Sequence, residues 1–463
     1  MIRKLDVGRM FYNACLGELY SRYNSMIKSP AYQQSIGLSK EDKTRNSKLN
    51  ELRRDYKIGE YDLHDFVAPM KRHFNSLDIH TAQKVATRCY DAFTDLLFGK
   101  ADQIHFKKRG SFDSLESKTN STGIRYRDGF LKWGRLEIPV EIKPKDDYAH
   151  ECLSRKIKFC RILRKSVGSK DKFYLQLILD GLPPIKVDEY TGQIKHPIGS
   201  GKVGLDIGTQ TLAISSKTDV KLIELAEGLD QKYSEIRRVQ RAIDRSRRAT
   251  NPENYSEDGT VKKGRLKWVR SKRYKKLLYR YRELNRLYTD KKKQSHNVLA
   301  NFVLSLGDEI YVEKMNFKAL VKRDKKSELN SKRKFKCKKQ FGKSILRKSP
   351  SLFLAILERK LIYIGKSLGR VDTWKVKASQ YCHLDDTYKK KPLGKRWNDF
   401  AEAKIQRDMY SAFLLMNVHP NLESINKEWC DSTFDNFKAL HDVEVKRLNV
   451  LNNISSVGIK KAA

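Results

Sequence analysis

The run KVGLDIGTQTLAISS (202–216), followed closely by KLIELAEG (221–228), constrains the fold of this chain more than any other stretch. Apolar residues alternate in twos and the run turns through Gly208 to Gln210. That pattern predicts three strands, the first two a hairpin. Two long basic helices are expected next, in YSEIRRVQRAIDRSRR and in WVRSKRYKKLLYRYRELNRLYTDKKKQSHNVLANFVLSL. EIYVEKM reads as a buried strand. SPSLFLAILERKLIYIGKSLG reads as a helix with Ser349 and Pro350 at its N-cap and N1 positions. VDTWKVKAS is a further strand and KIQRDMYSAFLLMN a further helix. One more helix is expected from Asp431 to about Asn452.

The first 200 residues follow two other periods. Up to about residue 105 the chain reads as helical. Met10, Phe11, Ala14, Leu19, Tyr23 and Ile27 recur at mixed steps close to a helical period, Val85, Cys89, Phe93 and Leu96 at three- and four-residue steps, and Gly99 is placed to end the second helix. From about 106 the period becomes two. IRYR and FLKW flank Asp128-Gly129, a strong hairpin signal. LEIPVEIK, RKIKFCRIL and FYLQLIL complete a β meander or small barrel. GSGK at 199–202 imitates a phosphate-binding loop, but that loop needs glycine where His196 stands and Ser or Thr where Val203 stands.

The chain has 463 residues and carries 96 Lys plus Arg against 55 Asp plus Glu, a formal charge of +41. The excess runs along the whole chain, so the fold must present basic surface widely, and a polyanion such as nucleic acid is the expected partner. Hydrophobic content of 39% excludes a disordered polyelectrolyte. The seven cysteines never fall as CxxC, which suits a reducing cytosol. No apolar run spans a bilayer and the start lacks a signal-peptide pattern, so a cytoplasmic, nucleoid-associated protein without a membrane partner is expected.

Three acids sit where acids are costly. Asp206 interrupts Val203, Leu205 and Ile207. Glu313 ends Ile310, Tyr311, Val312. Asp408 opens the helix of Ala412, Leu414 and Leu415. A carboxylate among buried residues needs compensation, and divalent cations supply it. Three converging carboxylates can hold two Mg²⁺ (or Mn²⁺) ions roughly 4 Å apart for phosphodiester hydrolysis. Taken singly, each has a plain structural explanation: a turn at Asp206, a lysine partner for Glu313, an Asp408–Arg407 pair. The element order from residue 201 fits an RNase H-like α/β fold interrupted by insertions. The DIGTQT hairpin also resembles that of actin-like ATPases, but those need Gly-Gly contacts to adenosine, and the chain has no Gly-Gly pair.

GLDIGTQTLA, YVEKMNFKAL and QRDMYSAFL together resemble the three RuvC motifs of the TnpB (OrfB) family, insertion-sequence RNA-guided nucleases related to compact type V CRISPR effectors. HFKKRGSFDS and the basic helical pair resemble the family as well. The resemblance is specific from about 200 to 417 and looser before. It implies a multidomain chain of mixed α/β and all-β parts. A mainly helical recognition lobe would occupy 1–105 and a wedge-like β-barrel 106–198. A RuvC nuclease with a basic helical insertion would span 199–378, a degenerate, zinc-free nuclease-associated segment 379–403, the final RuvC helix 404–420, and a tail with one helix 421–463. It further implies a guide RNA, part scaffold and part guide, and target double-stranded DNA with a short adjacent motif. Asp206 would bridge both cations while Glu313 and Asp408 each hold one.

Two departures stand out. Most relatives carry two CxxC pairs where this chain has SQYCHLDDTYKKKPLGKRW with Cys382 alone, so no zinc is expected and His383, Asp385 and Asp386 read as a surface turn. In the third motif Gln406 and Tyr410 replace an Asp and an Asn. Two alternatives share the resemblance: a CRISPR effector with a repeat-derived guide, and an RNA-guided DNA-binding protein without efficient cleavage.

Overall fold

The computed structural model describes residues 1–39, 41–168, 170–321, 341–392, 394–400 and 404–450. The basic loop beyond Lys322, with Cys337, therefore lies mostly outside the described residues. The chain divides into two compact units, 1–184 and 185–463. Among the described residues no helix is long and apolar enough to cross a membrane.

The first unit opens with five helices: α1 (Ile2–Lys28), α2 (Pro30–Gly37), α3 (Lys43–Asp55), α4 (Glu60–Lys71) and α5 (Ile79–Leu97). Side-chain caps start three of them, with Ser29, Asp42 and Asp78 accepting from the backbone N–H of Tyr32, Thr44 and Thr81. Phe11, Tyr12, Cys15, Leu16 and Leu19 of α1 share a core with Val85, Cys89 and Phe93 of α5. Met10 points away from it and is exposed. Gly99 ends α5 with φ +64°, as its position predicts.

Two open three-stranded sheets follow. One is β2 (Arg125–Arg127), β3 (Phe130–Trp133) and β4 (Leu136–Pro139). The other pairs β1 (Ser114–Glu116) with β5 (Ile157–Val167) and β6 (Lys170–Leu179), with α6 (Asp147–Leu153) between β4 and β5. Asp128 and Gly129 both take positive φ in the β2–β3 turn. The described residues contain no closed barrel; both sheets have free edges. Leu115, Trp133, Cys160 and Ile162 join the same core as α1 and α5. Helices and sheets of residues 1–184 thus share one core and form one compact unit.

The second unit is built on a five-stranded mixed sheet of β7 (Lys202–Ile207), β8 (Thr211–Ser216), β9 (Val220–Glu224), β10 (Glu309–Glu313) and β11 (Gly369–Val371). Its order is β11-β10-β7-β8-β9. β8 runs antiparallel to β7 and β9, while β10 and β11 run parallel to β7. Between β9 and β10 lie α7 (Asp230–Thr250) and α8 (Lys272–Leu306). α8 starts at Lys272 because Ser271 caps it, which leaves Trp268 to Arg270 outside the helix. After β10 come α9 (Phe317–Val321), α10 (Gly342–Lys348) and α11 (Pro350–Ile362). Ser349 stands at the α11 N-cap position but in the left-handed region, and its hydroxyl donates to Leu346 instead of capping.

α12 (Thr373–Val376) and two short hairpins follow, β12 (Tyr381–Cys382) with β13 (Thr387–Tyr388), and β14 (Trp397–Asp399) with β15 (Lys404–Gln406). The chain then forms α13 (Arg407–Met416) and α14 (Lys427–Val450). α14 begins at Lys427, ahead of the expected Asp431. The two sheet faces are covered differently. Val203, Leu205 and Ile207 pack with Val303 of α8 and Phe353 and Leu357 of α11, whereas Ala213 and Leu222 pack with α13 and α14. The GSGK run is the entry to β7. Gly199 N–H donates to the Leu304 carbonyl and Gly201 N–H to Asp308 Oδ1, so these backbone donors serve the fold.

Candidate active site

The strand period of two puts Gly204 and Asp206 on the opposite face of β7 from Val203, Leu205 and Ile207. α13 covers that face, and glycine is what lets it come close. A Cβ at Gly204 would overlap the Ala412 carbonyl oxygen and the Met416 amide nitrogen. One turn before Ala412, on the same helix, stands Asp408. Close packing at Gly204 therefore brings the first turn of α13 to the end of β7 that carries Asp206.

β10 supplies the third acid. Its register pairs Ile310 with Val203 and Val312 with Leu205, so the next residue, Glu313, stands level with Asp206. Asp206 feels the charge of the other two acids. The Asp206 carboxyl is held well above the usual carboxylate range, first by burial and then by the negative charges of Asp408 and Glu313, while Arg407 and Arg396 oppose the shift. Glu313 is pushed up by burial, with Arg407 opposing. Asp408 sits in the first turn of α13.

Asp206 and Asp408 line a cavity of about 220 Å³ that also touches Thr209, Gln210, Phe341 and Arg396. Arg396 Nη1 approaches Asp408 Oδ1 at 3.8 Å. Arg407, which the plain structural explanation pairs with Asp408, donates to the Pro392 carbonyl at 3.1 Å. Gln406 caps α13, its Oε1 accepting from Met409 N–H, and its Nε2 donates to Asp408 Oδ2 at 3.2 Å. Three oxygen donors of this kind suit a hard divalent cation, and the crowding of negative charge at Asp206 is what such an ion relieves. Among the described residues, no three His, Cys, Asp or Glu side chains are already drawn into a ligand cluster. The donor chemistry fits; the side chains as placed do not form a closed shell.

The segment 379–400 departs from the sequence reading. Asp385 and Asp386 do form a turn, with Asp386 at φ +51° and Asp385 accepting from Thr387 and Lys389. His383 does not belong to a surface turn. It is fully buried, its Nδ1 lies 2.6 Å from the Tyr410 hydroxyl, and Phe413 and Phe434 pack around its ring. The aromatic surroundings of Tyr410 explain its place in the third motif: it is a core residue. Arg396, Gln406 and Phe341 were missed as site residues because each gains its role from a fold-back that no local period announces.

No family profile and no curated protein matches the chain. Among solved structures, it is similar to a cryo-EM structure of the Cas12f1–sgRNA–target DNA complex at a TM-score of 0.47 and 11% identity, covering 90% of this chain and 82% of that one. A cryo-EM structure of a CRISPR-Cas12f ternary complex aligns at a TM-score of 0.25 and 13% identity, covering 90% and 80%. Likeness of this size carries no functional weight.

Proposed function

We propose that the chain is an RNA-guided DNA endonuclease of the TnpB type, cutting target DNA at a RuvC site formed by Asp206, Glu313 and Asp408. One observation supports this reading: Asp206 of β7 and Glu313 of β10 stand level in the strand register, on the sheet face that α13 covers, and Asp408 opens α13. The order β11-β10-β7-β8-β9, with only β8 reversed against β7, is the arrangement expected of an RNase H-like fold. The three motif resemblances fall on these same elements.

Asp206, Glu313 and Asp408 would hold two Mg²⁺ ions. Bound there, such ions supply an activated water and neutralise charge on the leaving oxygen. The chain's own groups set the stage. Arg396 places positive charge beside Asp408, where a phosphate must approach, and Phe341 offers an aromatic wall. The basic α7 and α8, with Arg237, Arg241, Arg245 and Lys276 on exposed positions, provide surface for nucleic-acid backbone. Guide RNA and target DNA are the partners of this reading.

The experiment is to express the protein from its native locus and sequence the RNA that purifies with it. One abundant species with a constant part and a guide-like end supports the reading. A constant part from the element's own end marks the TnpB type, and one from a repeat array marks the CRISPR type. A smear of ribosomal and transfer RNA refutes guidance. Asp206→Ala should abolish Mg²⁺-dependent cutting and spare RNA binding; residual cutting by that variant refutes the site.

A further inference from the structure

Asp408 is held from a distant part of the chain. Gln406, fully buried, grips it through Nε2. The Gln406 backbone N–H in turn donates to His441 Nε2 on α14 at 3.0 Å. A backbone N–H can only donate, so Nε2 must be the bare nitrogen and the ring proton sits on Nδ1. Nδ1 then donates to Asp442 Oδ1 at 2.8 Å. Burial lowers the imidazole pKa against the pull of Asp442 and Glu444, which keeps the ring neutral and its acceptor available.

Contacts other than this histidine also dock α14. Glu444, fully buried, accepts from the Leu222 N–H of edge strand β9 at 2.9 Å and is paired by Arg447 and Lys221. Asn436 donates to the Lys217 carbonyl, and Phe437 stacks on Phe413 with centroids 4.4 Å apart. The His441 ring lies among Phe437 and Trp397. What a histidine adds there is the directed chain Asp442–His441–Gln406–Asp408.

We infer that His441 is a positioning residue for Asp408, acting through Gln406, so that α14 sets how tightly the acid cluster holds a divalent cation. The inference rests on the reading of the three acids as a cation site. Hydrogen-bond partners one step beyond a ligand commonly change metal affinity by about 10- to 100-fold.

The test uses the full-length chain free of nucleic acid, with Mn²⁺ as the probe and the rise in unfolding temperature across a Mn²⁺ series as the readout. D206N gives the baseline for non-site binding. H441F keeps the ring and removes both nitrogens; H441Q restores an acceptor near Nε2. Half-maximal stabilisation of H441F should require about tenfold more Mn²⁺ than wild type or more, while H441Q should stay within about threefold. If H441F does not fold, H441M, apolar and without a nitrogen acceptor, is measured in its place. Wild-type Mn²⁺ dependence in H441F or H441M overturns the inference, as does H441Q weakening as far as H441F. Wild type responding no more than D206N overturns the cation reading of the acids, and the inference with it.

Discussion

Gly204→Ala is the sharpest perturbation of the site, since it adds one methyl and touches no acid. The new Cβ would overlap the Ala412 carbonyl oxygen and the Met416 amide nitrogen. Both are helix backbone, so no side chain can rotate away. An ordinary carbon–oxygen separation is roughly 3.3 Å or more, and reaching it requires α13 to withdraw from β7 by more than about 1 Å. Overpacking of a core typically costs about 1–3 kcal/mol. The rigid neighbours place this case at about 3 kcal/mol, since α13 spans β7, β8 and β10 and carries eight buried residues. At roughly 2–4 °C per kcal/mol, the unfolding temperature of the second unit should fall by about 6–12 °C. On the proposed nuclease reading, displacement of Asp408 by about 1 Å should also slow cleavage by about 100-fold. Differential scanning calorimetry and a Mg²⁺-dependent cleavage time course measure the two effects. Unfolding within about 1 °C of wild type, or cleavage at the wild-type rate, refutes the account of why β7 carries glycine here.

Other consequences follow from single groups. Asp206→Asn removes a carboxyl whose pKa is raised on folding, so the wild-type carboxyl contributes stability below the ordinary carboxylate range that is lost as pH rises through its folded pKa. In chelator at pH 8, D206N should therefore unfold at a higher temperature than wild type while cleaving nothing; a lower unfolding temperature contradicts the charge-crowding argument. His296, fully buried with Nε2 2.9 Å from the Lys348 carbonyl, has its pKa pushed down to about 4 by burial. Its unfolded form binds the proton first, so stability should fall as pH drops from about 6.5 toward 4, by about 3 kcal/mol at roughly 1.4 kcal/mol per pH unit. His296→Gln should flatten that part of a denaturant-unfolding pH profile, and an unchanged profile refutes it. Gly17→Ala meets nothing within 4 Å on α1 and should raise the stability of the first unit by about 0.5–1 kcal/mol in urea unfolding. It also serves as the control for Gly204→Ala.

Features that depend on near neighbours along the chain are legible in its residue pattern. Alternation around Asp206 marks β7, Asp128-Gly129 marks a hairpin with two positive φ residues, and Gly99 marks a helix end. The three acids were legible because a charge inside an apolar run violates its local pattern, and such violations need a reason wherever they lie. Helix starts were less legible. Ser271 caps α8 within a run of basic residues that resembles helix throughout, and Ser349 takes a left-handed conformation that no residue preference announces.

Tertiary structure alone decided the remainder. The two meander-like stretches before residue 184 close as separate open sheets, because each finds its apolar partner in α1 and α5 and neither packs as a barrel. His383 reads as polar and exposed, yet Tyr410, Phe413 and Phe434 converge on it from later in the chain and bury it. Gln406 is an uncommon helix cap, and its link to His441 spans 35 residues. Hydrogen bonds and burial depend on distance in space, and a linear pattern carries that distance only for residues within a turn or two of one another.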